Sequence, residues 1–343
     1  VYILHEYINR FIIFLYGGVY IITNFARPYL TDRMLAPRLK TIASGLRFLA
    51  VEKCKHIRGD FMIPVKRFEQ LTSLNLSGNS IDQALLEEVI IPTIGHQLQA
   101  LAISGSNFGS RPNAHDVTPW LKYLHTFVCD STKINETVFV PLQHHQPQHV
   151  RSECLGANIR DARFRFSEYL YDVSWLKHWT KLTRLDLSLC PRLEDASLSA
   201  LQNHPNLEEI NISKTQVTDT GFRFLGTMAK LITIVAEGLA LTDHIGQTLV
   251  SMVGLKHLNF TFTLNLSDDL IPFLPNQLQT LKLPYRPTGD AFITDNGIAA
   301  LALLDLHQLQ ELTVGGKGIT DDCLQSLCSI NSVLQKLSLW HTK

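Results

Sequence analysis

A short hydrophobic pattern recurs along the chain: an apolar residue, two variable residues, a second apolar residue, one variable residue and a third apolar residue. Leu182, Leu185 and Leu187 form one such match. The matches begin at residues 46, 71, 98, 124, 182, 207, 231, 255, 278, 309 and 334. Most starts lie 23 to 27 residues apart, and two intervals, of 58 and 31 residues, are longer. The alternation predicts a short strand with one face in the core, and the regular recurrence predicts a repeat solenoid.

A second signature follows many of these predicted strands. It consists of an apolar residue, then Thr, Ser or Glu, then Asp, as in Val217-Thr218-Asp219. It occurs at residues 30–32, 193–195, 217–219, 241–243, 266–268, 293–295 and 319–321. A hydroxyl or carboxylate followed by Asp supplies an N-cap and a favourable charge at a helix start. Each repeat is therefore predicted to be a strand, a turn and a helix.

A small or polar residue stands three positions after the last apolar residue of most predicted strands. The set comprises Cys54, Asn79, Ser106, Thr132, Cys190, Thr215, Thr263 and Thr342. We expect these side chains to point into the turn and to hydrogen-bond the backbone of the adjacent repeat, which stacking would otherwise leave unpaired. This position gives Cys54 and Cys190 a structural role rather than a metal-binding or catalytic one.

The segments 185–195 (LDLSLCPRLED) and 217–221 (VTDTG) resemble the cysteine-containing class of leucine-rich repeats. That class is familiar from F-box substrate receptors of ubiquitin ligases and from related antagonist-of-mitotic-exit proteins. The resemblance extends from about residue 19 to residue 343. It implies an α/β leucine-rich-repeat solenoid, or horseshoe, with parallel strands on the concave face and helices on the convex face. The sequence departs from the class at Leu239, Arg286 and Lys317, which replace the small residue, and it shows no F-box.

The apolar N-terminus also fits the repeat. Residues 19–24 have the strand spacing, so the repeats are predicted to span residues 19–343, and residues 1–18 are predicted to be a helix of a preceding or capping unit. The uncharged stretch 11–26 is shorter than the ~20 residues that a membrane-spanning helix needs. We therefore do not expect a membrane partner, although contact of residues 1–26 with a membrane stays an alternative.

The long interval contains an irregular stretch at about residues 138–181. We predict a degenerate repeat around residues 150–159 that carries a loop at 141–149. One interpretation of this region is a zinc site formed by four side chains, those of His144, His145, His149 and Cys154. The residues between them favour a solvated loop instead. The shorter break, residues 284–292, is either a rim loop or a plain insertion.

Aromatic residues gather at the end of the irregular stretch. They are Phe164, Phe166, Tyr169, Tyr171, Trp175 and Trp179. We expect them to form the core of an atypical helix; the alternative is an exposed binding patch.

The charge composition limits the classes of partner that we expect. The chain has 31 Lys+Arg and 31 Asp+Glu, so it lacks the basic charge by which a protein binds nucleic acid or an acidic membrane. The six cysteines are scattered without closely spaced pairs, which favours a reducing, intracellular compartment, cytoplasmic or nuclear.

The variable strand positions would line the concave face of the predicted solenoid, where repeat arrays bind their partners. In the C-terminal half these positions combine charges with aromatic rings, which favours a protein interface. The candidate residues are Arg184, Asp186, Glu209, Asn211, Lys214, His257, Asn259, Phe262, Lys282, Tyr285, Glu311, Thr313, Lys336 and Trp340.

These observations predict a non-enzymatic protein-interaction scaffold without cofactor, metal or catalytic residues. No phosphate-binding loop, nucleophile elbow or metal-binding motif is visible in the sequence. The resemblance implies substrate recognition for a ubiquitin ligase, with a ligase adaptor as partner only if an adaptor-binding box lies upstream. The alternative is a structural subunit or assembly factor of an intracellular complex, with membrane association of that complex left open.

Overall fold

Short parallel strands recur once per repeat in the computed structural model of the chain. The structure describes residues 12–16, 19–23, 30–82, 84–106, 123–132, 158–263, 265–285, 293–330 and 333–342. The chain divides into two compact units, residues 1–170 and residues 171–343.

The first unit contains seven strands among its described residues. They are β1 (Ile12–Tyr16), β2 (Val19–Thr23), β3 (Phe48–Glu52), β4 (Ser73–Asn75), β5 (Ala100–Ala102), β6 (Thr126–Val128) and β7 (Asp161–Arg163). Strand β1 pairs with β2 in antiparallel orientation, and β2 to β7 pair in chain order, each parallel to the next. The helical segments are α1 (Asp32–Lys40), a π-helix (Leu85–Ile90), α2 (Ile91–Ile94) and 3-10 turns at Ala43–Gly45, Asp60–Met62 and Val65–Arg67.

The second unit repeats the same design. Its described strands are β8 (Arg184–Asp186), β9 (Glu209–Asn211), β10 (Thr233–Val235), β11 (His257–Asn259), β12 (Thr280–Lys282), β13 (Glu311–Gly315) and β14 (Lys336–Trp340), all parallel and paired in chain order. The helices are α3 (Asp195–Ser199), α4 (Asp219–Leu225), α5 (Gly246–Ser251), α6 (Asp295–Ala302) and α7 (Leu324–Ile330). 3-10 turns occur at Ser174–His178, Asp243–Ile245, Asp268–Phe273 and Asp321–Cys323.

The leucines that define the repeat form the core. The central apolar residues of β8 to β13 lie side by side in register and are at most 2% exposed: Leu185, Ile210, Ile234, Leu258, Leu281 and Leu312. The residues on either side of each central residue face the opposite surface of the sheet, because side chains alternate along a strand. The predicted α/β leucine-rich-repeat solenoid is thus confirmed.

The Thr–Asp signature links each repeat of the second unit to the next. The carboxylate of Asp195 accepts the N–H of Thr218 at 2.7 Å and its hydroxyl at 2.6 Å. The same pair of bonds joins Asp219 to Thr242, Asp243 to Ser267, Asp268 to Thr294 and Asp295 to Thr320. We call this series the Asp–Thr ladder.

Each Thr or Ser hydroxyl of the Asp–Thr ladder also caps a helical segment. While Thr218 donates to Asp195, its oxygen also accepts the N–H of Thr220 and so caps α4. Thr242, Ser267, Thr294 and Thr320 cap their own helical segments in the same way. The predicted N-caps are therefore present at these five segments, and the Asp after each of the first four connects it to the next repeat. Thr31 occupies the N-cap of α1 but makes no side-chain cap bond.

In the first unit, Asp32 plays a related part with different donors. Its carboxylate accepts the main-chain N–H groups of Arg58, Gly59 and Phe61 at 2.8, 2.9 and 3.1 Å. Asp32 is only 9% exposed, so these bonds compensate for the burial of its charge.

The small residues of the turns differ from the prediction in their partners. Thr132, Thr215 and Thr263 donate to the carbonyl oxygen three residues earlier in their own repeat, at 2.9, 2.8 and 2.6 Å. Because the side chain of Thr is short, its hydroxyl bonds a carbonyl oxygen of its own turn rather than the backbone of the neighbouring repeat. The longer Asn79 bridges repeats: its side-chain oxygen accepts the N–H of Cys54, and its amide donates to the carbonyl of Val51.

The two cysteines of this position are buried. The thiol of Cys54 lies 3.2 Å from the carbonyl oxygen of Glu52, and that of Cys190 lies 3.8 Å from that of Ser188. Burial, with a smaller contribution from Glu52, raises the pKa of Cys54 to about 11. Cys54 is therefore a protonated, packed side chain at neutral pH.

The N-terminus departs from the prediction. Ile12–Tyr16 is a strand where a helix was predicted, because it pairs with β2 as a hairpin that covers the edge of the sheet. That part of the helix prediction is wrong, and residues 1–11 lie outside the described residues. The strand predicted from residue 19 is present as β2. Among the described residues, no helix has the length and apolar character to cross a membrane.

The degenerate repeat lies further along than predicted. Its three apolar positions are Ile159, Ala162 and Phe164, each at most 1% exposed, and its strand is β7. Ala162 hides the pattern because it is small, and the Phe127 and Phe164 rings, 6.0 Å apart, fill the space beside it. The loop at 141–149 and the imagined zinc ligands lie outside the described residues, as does most of 284–292.

Half of the aromatic residues at the end of the irregular stretch are buried, as expected for a core, and half are exposed. Phe164, Trp175 and Trp179 are buried, and the two Trp rings contact edge to face at 4.8 Å. The side chains of Phe166, Tyr169 and Tyr171 are 48%, 43% and 49% exposed. The 3-10 turn Ser174–His178 holds the buried Trp pair in place of the predicted atypical helix.

Removing one rung of the ladder should destabilise the protein. Asp243→Ala leaves the N–H and the hydroxyl of Ser267 without their acceptor, so we expect the free energy of unfolding to fall by about 1–3 kcal/mol in urea titrations. Asp269→Ala, at an exposed carboxylate two residues after Ser267, is the matched control and should change it little. Equal losses in the two variants would contradict the role of the ladder.

His204 should make stability depend on pH. It is 4% exposed, its Nε2 lies 3.2 Å from the carbonyl oxygen of Trp179, and burial lowers its pKa below the ordinary value. Because the folded state disfavours the charged ring, this residue stabilises the fold above the unfolded pKa of about 6.5, and that stability is lost as pH falls through the lowered value.

His204→Gln keeps a donor for the Trp179 carbonyl but does not titrate. Between pH 7.5 and 5, its free energy of unfolding should fall less than that of the wild type. Parallel curves for the two proteins would show that His204 does not carry this effect.

Candidate functional site

The residues on either side of the central apolar residue of each strand, from β8 to β14, share one surface, which we call the strand face. The structure places nine of the predicted binding residues there, on the strands themselves: Arg184, Asp186, Glu209, Asn211, His257, Asn259, Lys282, Glu311 and Lys336. Thr313 lies on the same face of β13, and Trp340 is the last residue of β14. Lys214, Phe262 and Tyr285 follow the ends of β9, β11 and β12.

Three of these residues serve the turn at the end of their own strand. The side-chain oxygens of Asp186, Asn211 and Asn259 each accept the N–H two residues later, at 3.0 Å. Asn259 is also only 9% exposed, and its amide donates to Glu237 at 2.7 Å. Their first role is therefore structural: they fix the direction in which the chain leaves the strand.

Phe262, Tyr285 and Trp340 form a contiguous group on this unit, which we call the aromatic row. The ring centroids of Phe262 and Tyr285 are 5.1 Å apart with a tilt of 54°. Those of Tyr285 and Trp340 are 6.4 Å apart with nearly parallel planes, at 4°. Both separations fall within the 4.5–7 Å range of aromatic pairs. Phe262 and Trp340 are 39% and 50% exposed, so the row presents ring surface to solvent.

Phe262 has an unusual backbone conformation. Its φ is +60°, in the left-handed region that bulky residues avoid. Leu189, Lys214 and Gly238 share this conformation at the equivalent point of the preceding repeats. The conformation ends the strand and turns each side chain out of the core, so the repeat itself exposes the phenyl ring, at a cost of order 1 kcal/mol.

Two glycines allow the row to extend across β13. A Cβ atom on Gly315 would lie 2.2 Å from the carbonyl oxygen of Trp340, and one on Gly316 would meet nothing within 4 Å. Gly315 thus permits the close approach of β14, and Gly316 leaves open space. Tyr285 can therefore reach Trp340 past β13, and it also lies 6.3 Å from the ring of His341.

Charges of both signs surround the row. Burial and, to a smaller extent, the Glu237 carboxylate raise the pKa of Tyr285, so its phenol stays protonated at neutral pH. Lys336 and Glu311 form an ion pair of 3.5 Å in which both side chains are largely exposed. Such a pair adds little stability and remains able to exchange partners.

The described residues contain no group of three or more His, Cys, Asp or Glu side chains arranged to hold a metal ion. The predicted site residues bring together rings, amides and mixed charges, an arrangement suited to recognition.

Sequence reasoning missed Glu237, Gly315 and Gly316 as parts of this site. Glu237 occupies the position directly after the third apolar residue of its repeat, level with Thr261 of the next repeat, and its carboxylate accepts from the amide of Asn259 two residues earlier. The glycines act by lacking side chains, so only the position of Trp340 reveals their importance.

Gly315→Ala should displace Trp340 from the row. The added methyl group must move the main chain of β14, so we expect loss of the near-ultraviolet circular dichroism of the Tyr285–Trp340 pair and a free energy of unfolding lower by about 1–3 kcal/mol. In Gly254→Ala, the control, the added atom would meet its nearest neighbour at 3.6 Å, an ordinary contact. Identical spectra for Gly315→Ala and the wild type would contradict the close approach.

Comparisons with known proteins agree with this fold. A family model described as "Leucine Rich repeat" matches residues 178–201, the segment that includes β8 and α3. No curated protein matches the sequence. Among solved structures, an internalin (inlF) from Listeria monocytogenes superposes with a TM-score of 0.52 at 17% identity, covering 90% of this chain and 88% of that one.

A second structure from the same organism, internalin C2, covers 88% of this chain and 83% of its own at 15% identity, with a TM-score of 0.35. At 17% identity, the comparison with the internalin inlF shows the fold alone. The chain folds as a leucine-rich-repeat solenoid, and its function has to be argued from its own surface.

Proposed function

We propose that this chain is a protein-interaction scaffold that binds a partner protein on the strand face of its second unit, centred on the aromatic row. The observation that carries the proposal is the exposed run of Phe262, Tyr285 and Trp340, held by backbone geometry and by two glycines. Leucine-rich repeats generally bind proteins through such surfaces, which supports the coarse assignment.

The composition of this surface supports a protein partner. Aromatic residues and arginine are enriched at the points that dominate binding energy, and rigid rings lose little entropy when they are covered. Arg184, Glu209, Lys214 and Lys336 are exposed and provide a polar rim of both signs. Because charges of both signs are present, the surface suits a protein of mixed charge better than a polyanion.

The more specific part of the proposal is substrate recognition in a ubiquitin ligase, inside the cell. It rests on the resemblance of residues 185–195 and 217–221 to the cysteine-containing repeat class. It requires a ligase adaptor to bind a segment upstream of the repeats. Recovery of a cullin or an adaptor with the tagged full-length protein supports this setting, and substrates recovered without either would remove it while leaving the scaffold intact.

The binding site is tested by a double substitution that avoids β14. Phe262→Ala with Tyr285→Ala removes two rings of the row, so recovery of partner proteins in cells, measured by quantitative mass spectrometry, should fall at least about tenfold. Because Phe262 is already 39% exposed, the free energy of unfolding should stay within about 1 kcal/mol of the wild type.

The matched control is Phe166→Ala with Tyr169→Ala. These two rings are exposed to a similar extent, 48% and 43%, but belong to the first unit. Partner recovery should be unchanged in this control. Loss of recovery in the control alone, or in neither variant, would place the binding site elsewhere.

A further inference from the structure

An acidic side chain lies on the strand face directly beside the aromatic row. The residue after Glu237 is Gly238, whose N–H donates to the carbonyl oxygen of Thr261 at 3.0 Å. Because Thr261 immediately precedes Phe262, this bond places Glu237 next to the start of the row. Burial and, to a smaller extent, the Glu237 carboxylate raise the pKa of Tyr285, which agrees with this placement. The row therefore has a negatively charged group along its side.

The side chain of Asn259 fixes the orientation of this carboxylate. Its oxygen accepts both the N–H and the hydroxyl of Thr261, at 3.0 and 2.7 Å. Its amide group is thereby turned toward Glu237 and donates to one carboxylate oxygen at 2.7 Å. A carboxylate offers about four acceptor sites, and this bond uses one of them. Since Glu237 is partly exposed and forms no ion pair among the described residues, it can accept from a group outside the chain.

Gly238 leaves a gap between the carboxylate and the rings. It occupies the same left-handed position as Lys214 in the preceding repeat and Phe262 in the next, so it lies between them. Among the described residues, a Cβ atom on Gly238 would meet only the side chain of Lys214, at 3.2 and 3.9 Å, and no atom of Phe262 within 4 Å. Lys214 is exposed and its stem is flexible, so it can move aside. We call this space the Gly238 gap.

We propose that the Gly238 gap receives an arginine side chain of the partner protein, which bonds the Glu237 carboxylate and stacks on the Phe262 ring. This inference rests on the proposed function, because it names the chemistry by which the partner meets the aromatic row. Rings alone would suit an apolar side chain equally well, but the oriented carboxylate beside them favours a cation. A guanidinium group can donate from its edge to a carboxylate while its face covers a ring, whereas an ammonium group is a compact point charge.

The first unit contains the same polar arrangement without the rings. The amide of Asn75 donates to Glu52 at 2.5 Å, and its oxygen accepts the N–H of Ser77 at 3.0 Å. At the left-handed position where the second unit has Phe262, that repeat has Gly78. Holding a strand-end carboxylate with an Asn is therefore a structural feature that recurs, and the second unit combines it with exposed rings. The Glu52 pair supplies a control that is matched in its hydrogen bonds.

Peptides from a random 12-residue library, selected on the full chain by phage display, supply the probes. We call a peptide row-dependent if its dissociation constant rises at least about tenfold in the Phe262→Ala, Tyr285→Ala variant. The row-dependent peptides should share an arginine. In fluorescence anisotropy, citrulline in its place, which is neutral and similar in shape, should raise the dissociation constant at least about tenfold, and lysine should raise it less.

Glu237→Gln removes the charge but keeps an oxygen for the Asn259 amide. It should weaken the arginine peptide at least about tenfold, while Glu52→Gln leaves binding unchanged. The citrulline peptide should bind Glu237→Gln and the wild type equally, because it has already lost the charge pair. Lys214→Gln removes a like charge beside the gap and should tighten binding of the arginine peptide.

Two results would overturn this inference and leave the scaffold proposal intact: row-dependent peptides that lack a basic residue, or equal losses of affinity in Glu237→Gln and Glu52→Gln. Absence of any row-dependent peptide would instead remove both the inference and the proposed binding site.

Discussion

The interaction on which the second unit depends is the hydrogen-bond pair between an Asp carboxylate and the Thr or Ser of the next repeat. Stacking partly buries main-chain groups at the start of four of the five helical segments, and an N–H that loses water without gaining another acceptor is costly. The carboxylate accepts that N–H and also orients the hydroxyl that caps the helix. Since each repeat between Asp195 and Thr320 both accepts and donates, the spacing of successive repeats is set by polar geometry as well as by leucine packing.

This arrangement explains why so few polar residues are left for function. The recurrent Thr and Asp residues serve the ladder, the small turn residues serve their own turns, and Asp186, Asn211 and Asn259 end their strands. What remains exposed on the strand face is the charged rim and the aromatic row. Phe262 departs from the repeat in its side chain but not in its backbone: it uses the same left-handed position as Gly238 in the preceding repeat. Binding surface is therefore gained by changing side chains at positions where the fold already turns outward.

The repeat spacing and the cap signature predicted the strands and helix starts well, because each rests on local chemistry that recurs. Three features were not predicted from the sequence, each for a physical reason. Ala162 is too small to be recognised as a core residue until the neighbouring Phe rings are seen beside it. The N-terminal strand depends on pairing with β2, which apolar spacing alone does not reveal. Tyr285 and Trp340 were both candidates, but their contact requires Gly315 between them, and a missing side chain leaves no hydrophobic signal.

The ladder is tested most directly by amide hydrogen exchange at single-residue resolution in the intact chain. The account predicts that the amides of Thr218, Thr242, Ser267, Thr294 and Thr320 exchange as slowly as those of the adjoining strands, because each is bonded to the Asp of the preceding repeat and opens only when the repeats separate. Exchange at these five amides as fast as in an unstructured peptide, with the strands still protected, would contradict it.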